Sequence, residues 1–313
     1  MSLPFLAGKV SPPPIVVAIA LMTVASFLFS GMNVGIRMAT EEMHAFEIVF
    51  FRNLFAALVM LPWIARLGFG VMKTVKLKLY LFRSLLGLGG MLSWFSALGM
   101  LPVADAVALN FTTPLFVTLT AAVLLHEKVG PRRLGATVVG FLGVLVILRP
   151  GMQEMSLAMA LPILSAIFVS VTAVLVKTLT KTERAEVIVF YMNVLLTPLS
   201  LVPALFVWTW PSLYGLAIVA AVGAMGTVAH VCFTRAYALA DASAVMPADY
   251  FRLPFTAVLA YFLFSEIPDV WTLVGAGIIA CSVLYIVRRE AYLARLNRTK
   301  KPVSEGLPER DTP

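Results

Sequence analysis

Long apolar runs, each broken by a few polar or basic residues, cover almost the whole chain. Ten stretches are long enough to cross the hydrocarbon layer of a membrane, which takes about 20 apolar residues in a helix. They cover roughly 14–38, 46–67, 77–100, 103–126, 131–149, 156–179, 186–207, 211–238, 242–265 and 269–287. The loops between them are short and leave no room for a separate soluble domain. The pattern therefore predicts an all-α integral membrane protein with ten transmembrane helices.

The runs repeat. When Met32–Pro62 is set above Thr172–Val202, Arg37 falls on Lys177, Ile48–Phe50 on Ile188–Phe190 and Asn53 on Asn193, each pair 140 residues apart. To within one residue, the same offset pairs Pro114 with Pro254, Glu127 with Glu266 and Gly135–Ala136 with Gly275–Ala276. Each copy holds five spans. Because five is odd, the second copy enters the membrane from the opposite side, so the repeats are inverted. Residues 15–149 form the first five-helix half and 156–288 the second. Residues 1–14 are expected to be a cytoplasmic lead and 289–313 a cytoplasmic tail, and the segment Arg149–Glu154 joins the halves on the outside. Inverted repeats are typical of secondary transporters, whose substrate site lies where the repeats meet.

Composition agrees with this picture. The chain is 60% hydrophobic and 13% charged, against about 45–50% and about 25% in a soluble domain. A net charge of +8 would suit nucleic acid, but its distribution follows topology: with both termini cytoplasmic, 20 of the 24 Lys and Arg lie on the inner side. The positive-inside rule then orients the chain in a bacterial inner membrane with both ends cytoplasmic, and no nucleic-acid partner is expected. Cys232 and Cys281 fall inside spans and read as buried free thiols rather than a disulfide or metal framework. The Ser11–Pro14 stretch reads as a lead-in before the first span rather than a cleaved signal. Beyond Arg288 the tail mixes an Arg-rich helical turn or two, suited to the membrane surface, with a polar end expected to be disordered.

Five segments of the first half carry a family signature: Arg83–Gly99 (RSLLGLGGMLSWFSALG), Leu101–Ala106 (LPVADA), Pro114–Phe116, His126–Lys128 and Gly140–Val144. With them the chain resembles the EamA-type branch of the drug/metabolite transporter superfamily over about residues 15–288. The resemblance implies ten helices in two inverted repeats and transport of a small metabolite or drug. It leaves the cargo open, since members carry amino acids, vitamins, nucleoside derivatives or drugs. In the second half Ala240–Ala244 replaces the Leu-Pro-x-Ala-Asp-Ala run and Ser265–Glu266 lacks a following basic residue, so the two halves need not function alike.

Small residues at four-residue spacing (Gly31/Gly35, Gly89/Ser93/Ala97, Ala136/Gly140, Ala276/Ala280) and the neighbours Gly223 and Gly226 read as helix-packing surfaces. By resemblance, the helices of Gly135–Ala136 and Gly275–Ala276 stand apart from the cavity and are candidates for homodimer contacts. Pro114 and Pro254 hold matching places in the fourth and ninth spans. A proline removes one helical hydrogen bond, and matched breaks in two halves point to hinges or to the binding region.

Arg252 lies about ten residues into the ninth span, about 15 Å deep, with Asp249 three residues earlier on the same face. Two readings stand: an internal ion pair that closes the bundle, or Arg252 meeting an anionic group of the cargo while Asp249 exchanges a proton. Arg52, about 9 Å into the second span, can either snorkel or serve cargo; its repeat mate is Met192, whereas Asn53 retains Asn193. Trp94, Asn110, Tyr191 and His230 would together give a cavity with aromatic walls and a few hydrogen bonders. Glu127 and Glu266 sit at helix ends and read as structural.

Gly87–Gly90 lacks the context of a nucleotide-binding loop, and the three His have no metal-ligand spacing, so no cofactor or metal is expected. The sequence reads as a secondary transporter of a small organic metabolite or drug, working by alternating access and coupled to protons or to exchange. A lipid or amphiphile flippase-like accessory protein is the alternative, ahead of a membrane-embedded enzyme. The topology is open to a direct check: reporter fusions at the Arg149–Pro150 linker should read periplasmic, and fusions at Lys128 and after Arg289 cytoplasmic. A periplasmic C-terminus would overturn the inverted arrangement.

Overall fold

The computed structural model describes residues 14–68, 74–124, 131–149, 156–180, 182–239, 248–249 and 251–299. His126–Lys128, the linker 150–155, Ala240–Ala244, the first 13 residues and the end of the tail lie outside them. The described chain is helical: α1 (Pro14–Ala39), α2 (Ala45–Leu67), α3 (Leu77–Met100), α4 (Val103–Asn110), α5 (Thr113–Leu124), α6 (Pro131–Leu148), α7 (Ala160–Leu179), α8 (Ala185–Leu205), α9 (Leu213–Leu239), α10 (Arg252–Phe264) and α11 (Val270–Thr299). Six helical segments, starting at residues 14, 45, 77, 157, 185 and 213, are long and apolar enough to cross a membrane, and shorter apolar helices lie at Val103–Val117, Val138–Ile147, Arg252–Phe264 and Val270–Ser282. This is an all-α, multi-pass membrane protein.

The predicted fourth span is not one helix. It breaks at Phe111–Thr112 into α4 and α5, which places Pro114 second in α5 rather than in mid-span. In a first turn the missing N–H of proline would have had no helical partner anyway. The carbonyls at the break find side-chain donors: the Thr112 hydroxyl donates to Leu109 O at 2.8 Å, and the Thr113 hydroxyl to Asn110 O, the acceptor that Pro114 leaves empty, at 2.7 Å. The ninth span is broken in the same way. Phe251 sits in a turn, Arg252 opens α10 and Pro254 is its third residue. Here α1 supplies the donors, Ser26 Oγ to Ala248 O at 3.2 Å and Ser30 Oγ to Arg252 O at 3.0 Å. At membrane depth an irregular backbone persists only where protein or water satisfies it.

The four most extensive helix pairings among the described residues all cross between the halves: α1 with α9, α6 with α11, α2 with α8 and α3 with α7. They obey the repeat. The first and sixth spans each pack on the third span of the other half, and the second and fifth pair with their own mates. Small residues make the approach. Gly31 and Gly35 face Met225 and Val222, and Gly89 and Gly90 face Phe168. Gly143 and Gly275 meet backbone to backbone: a Cβ on Gly275 would lie 2.6 Å from Gly143 O and 2.4 Å from Ile147 Cγ1. Gly275 and its buried neighbour Ala276 are thus engaged within the chain, while Gly135 faces open space.

Helix ends are tied across elements too. Glu47 completes a capping box with His44 and accepts from Thr209 N at 2.6 Å, and Arg37 Nη1 donates to Gly99 O at the end of α3 at 2.6 Å. Glu266 accepts from Val103 N at 3.0 Å, which holds the start of α4 from the other half; the structural role read for it from the sequence has this physical form. One expectation needs correction: Cys281 is exposed rather than buried, because the buried stripe of α11 runs through Ala276, Ile279 and Ser282. The last helix continues past the predicted span through Arg288–Thr299 as one 30-residue element, which contains the Arg-rich helical turns expected at the start of the tail.

Gly275→Ala should destabilise the protein by about 1–3 kcal/mol, because neither Ile147 nor a backbone carbonyl can yield that much room. Thermal unfolding in detergent measures it, with Gly135→Ala as the neutral control; equal Tm values would refute the close approach.

Candidate functional site

The site starts from Arg52 on α2, which is 1% exposed and so does not snorkel. Its Nη1 donates to Asn53 Oδ1 at 2.9 Å and to Asn193 Oδ1 at 3.2 Å. The two asparagines are repeat mates on α2 and α8, and the inverted packing of those helices brings them onto one guanidinium. Asn53 is further fixed by donating Nδ2 to Val49 O at 2.9 Å. The guanidinium lies close against Gly226 of α9, where a Cβ would sit 2.7 Å from Nη2 and 3.2 Å from Nε. Among the described residues, Arg52 Nε and Nη2 have no hydrogen-bond partner.

One turn beyond Gly226, His230 packs edge-on against Phe29 of α1, with ring centroids 4.9 Å apart. Phe29 in turn carries the Arg252 guanidinium over its ring at 4.8 Å. Arg252 Nη2 contacts Asp249 Oδ1 at 2.5 Å, and Ser26 Oγ reaches the same oxygen at 3.3 Å. One turn past Phe29, buried Asn33 accepts from Trp94 Nε1 at 3.3 Å and leaves its own Nδ2 without a partner. Arg52, Asn53, Trp94, His230, Asp249 and Arg252 therefore fall in one connected region between α1, α2, α3, α8, α9 and α10. Tyr191 lies at its edge, stacked on Tyr80 at 4.6 Å. Asn110 does not join: its Nδ2 donates to Pro162 O at 3.4 Å, at the start of α7. Pro114 belongs to the α4–α5 break.

Sequence reasoning passed over Asn33, Tyr80 and above all Arg83, which was counted with the basic loop before α3. The structure places Arg83 two turns inside α3, part-buried, with Nη2 donating to Met192 Sδ at 3.4 Å and Nε buried without a partner. Met192 is the repeat mate of Arg52 and the neighbour of Asn193, so Arg83 stands next to the central pair. The available signal was an arginine six residues into an apolar helix with no acidic residue nearby. A groove on α11, lined by Cys281, Leu284, Tyr285, Arg288 and Tyr292, lies on a helix that contributes nothing to this region.

These contacts define a polar centre inside a multi-pass membrane protein, built where two inverted halves meet. The EamA-like transporter family matches residues 16–149 and 156–288, and the chain belongs to that family. It is similar to a riboflavin transporter of Rhizobium johnstonii, 35% identical over 94% of this chain and 96% of the relative. It is similar also to an S-adenosylmethionine uptake transporter of Rickettsia bellii, 32% identical over 80% of this chain and 86% of the relative. A pseudopaline exporter of Pseudomonas aeruginosa is 28% identical over 86% of this chain and 95% of the relative. A crystal structure of another protein shares the fold, with a TM-score of 0.63 over 87% of this chain and 98% of the other at 18% identity. Family and relatives make this chain a transporter of small molecules.

Asn193→Leu removes the cross-half acceptor of Arg52 and should cost about 1–3 kcal/mol, as expected when a buried charged donor loses its partner. Thermal unfolding of the purified protein reads this as a lowered Tm; an unchanged Tm would show that Asn193 does not hold the guanidinium.

Proposed function

We propose that this chain is a secondary active transporter of the bacterial cytoplasmic (inner) membrane that moves a small organic metabolite by alternating access, with proton coupling or exchange. Residues 15–149 and 156–288 act as the two moving halves, and the lead and tail, like both termini, lie in the cytoplasm. One observation carries the reading: polar residues, several of them buried, lie between the halves, and two sets of hydrogen bonds near opposite helix ends cross from half to half. At one end Glu47 and Glu42 of the first half accept from Thr209 and Ser212 of the second. At the other, Thr74 Oγ1 donates to Glu183 Oε1 at 2.9 Å and Lys76 Nζ to Thr182 Oγ1 at 2.7 Å. Under the repeat these ties correspond, each joining the loop after a half's first span to the loop after the other half's second span. Breaking one while keeping the other opens the centre to one side. The relatives named for S-adenosylmethionine and riboflavin support a water-soluble metabolite as cargo.

Asp249 and Arg252 supply the coupling. An ionised Asp249 neutralises Arg252; a protonated one releases it to an acceptor on the cargo, so proton and cargo compete for one guanidinium. The reading is tested by comparing metabolite uptake and efflux, without a chosen target, in vesicles with and without the protein under an imposed pH gradient. No difference in any metabolite would refute transport. Asp249→Asn should abolish gradient-driven accumulation while leaving exchange. Arg252→Lys should lower transport about tenfold, since the charge remains but the bidentate fork is lost, and Arg252→Gln should lower it further. Full transport in the Asp249→Asn/Arg252→Gln double variant would show that the pair only neutralises itself.

A further inference from the structure

Three guanidiniums converge on the centre, and only one of them has a carboxylate. Arg252 is paired with Asp249. Arg52 and Arg83 reach two amide oxygens and a thioether sulfur between them, and no described carboxylate bonds to either. The three are linked by contacts and by short steps along two helices: Arg83 contacts Met192, whose chain neighbour Asn193 bonds Arg52; Arg52 lies against Gly226, and one turn on His230 packs on Phe29, which carries Arg252.

Around the three arginines the buried nitrogens without partners among the described residues are Asn33 Nδ2, Arg52 Nε and Nη2, Arg83 Nε and Arg252 Nε, all donors; the hydroxyls of Tyr80, Ser84 and Thr256, which can donate or accept, are unpartnered as well. In a protein interior such groups are normally satisfied, and an unpaired buried cation is strongly destabilising. A bound molecule with acceptor atoms, or with negative charge, would complete these groups.

We propose that Arg83 and Arg52, together with Arg252, form the cargo-recognition site, and that it selects an acceptor-rich organic molecule, uncharged or anionic, and rejects organic cations. This rests on the transporter reading above and adds to it the residue Arg83 and the chemical class of cargo. Carbonyl, ring-nitrogen or acidic oxygen acceptors fill the open N–H positions, and Asn33, aligned by Trp94, supplies a further donor. A cation would enter a field that already holds two uncompensated positive charges.

The test is binding to the purified protein in lipid nanodiscs, with two probes that differ in charge. Riboflavin is uncharged and rich in carbonyl and ring-nitrogen acceptors; S-adenosylmethionine carries a sulfonium cation. Riboflavin should bind more tightly, and Arg83→Gln should weaken it by about tenfold to a hundredfold, the range for losing a charged hydrogen bond. The Tm of the empty Arg83→Gln protein should be unchanged or higher, because the substitution removes an uncompensated buried charge. A purely structural arginine would give the opposite result, a lower Tm. Binding of neither probe, tighter binding of S-adenosylmethionine, unaltered affinity in Arg83→Gln or a lowered Tm would each overturn the proposal. The transporter reading fails separately: riboflavin bound with the expected Arg83 dependence but not carried into proteoliposomes would keep the recognition site and remove transport. Uptake of S-adenosylmethionine alone would keep transport and remove the proposed selectivity.

Discussion

The buried charge of Arg52 is the constraint on which the arrangement of the two halves depends. A guanidinium enclosed in a bundle must be hydrogen-bonded or it destabilises the fold by several kcal/mol. Arg52 meets that demand with one asparagine from each half, Asn53 and Asn193, so neither half alone can hold it. The same side chain needs space, which Gly226 provides. Helices α2, α8 and α9 are thereby held in one register around a single cation, and that register sets where His230, Phe29 and Arg252 come to lie.

Helix packing serves this centre. In lipid there is no hydrophobic drive between helices, and close approach depends on small residues and on polar bonds. Gly31, Gly35, Gly89, Gly90, Gly143 and Gly275 all face the opposite half, which is why the strongest pairings join the halves rather than close each half on itself. The interrupted fourth and ninth spans follow another rule: their irregular backbone survives because Thr112 and Thr113 on one side and Ser26 and Ser30 on the other donate to it. At the fourth span these hydroxyls come from the break itself, and at the ninth from the neighbouring helix α1.

The polar centre holds buried groups that the described residues do not pair. Two arginines lack a counter-charge among the described residues, and several buried N–H groups lack acceptors. A bundle built only for stability would place hydrophobic groups there, since replacing buried ions with well-packed apolar residues is often neutral or stabilising.

The sequence by itself determined the helical membrane architecture and the inverted repeat, and it singled out Arg52, Asn53, Asp249 and Arg252 as polar residues within the spans. These are legible because crossing lipid demands long apolar runs, duplication leaves a constant offset, and an isolated charge in an apolar run is conspicuous. It could not show that Arg83 belongs with them, since a basic residue close after a basic loop looks like part of that loop until the neighbouring α8 is placed. Nor could it show that Asn53 and Asn193 meet on one side chain, that Trp94 donates to Asn33, or that Asn110 turns away toward Pro162. Those outcomes depend on which faces of α2, α3, α8 and α9 oppose one another, and in helices apolar on nearly every side the linear pattern does not mark a face. Only packing decided that, through the glycines that let particular helices approach and the single buried cation that their asparagines had to satisfy.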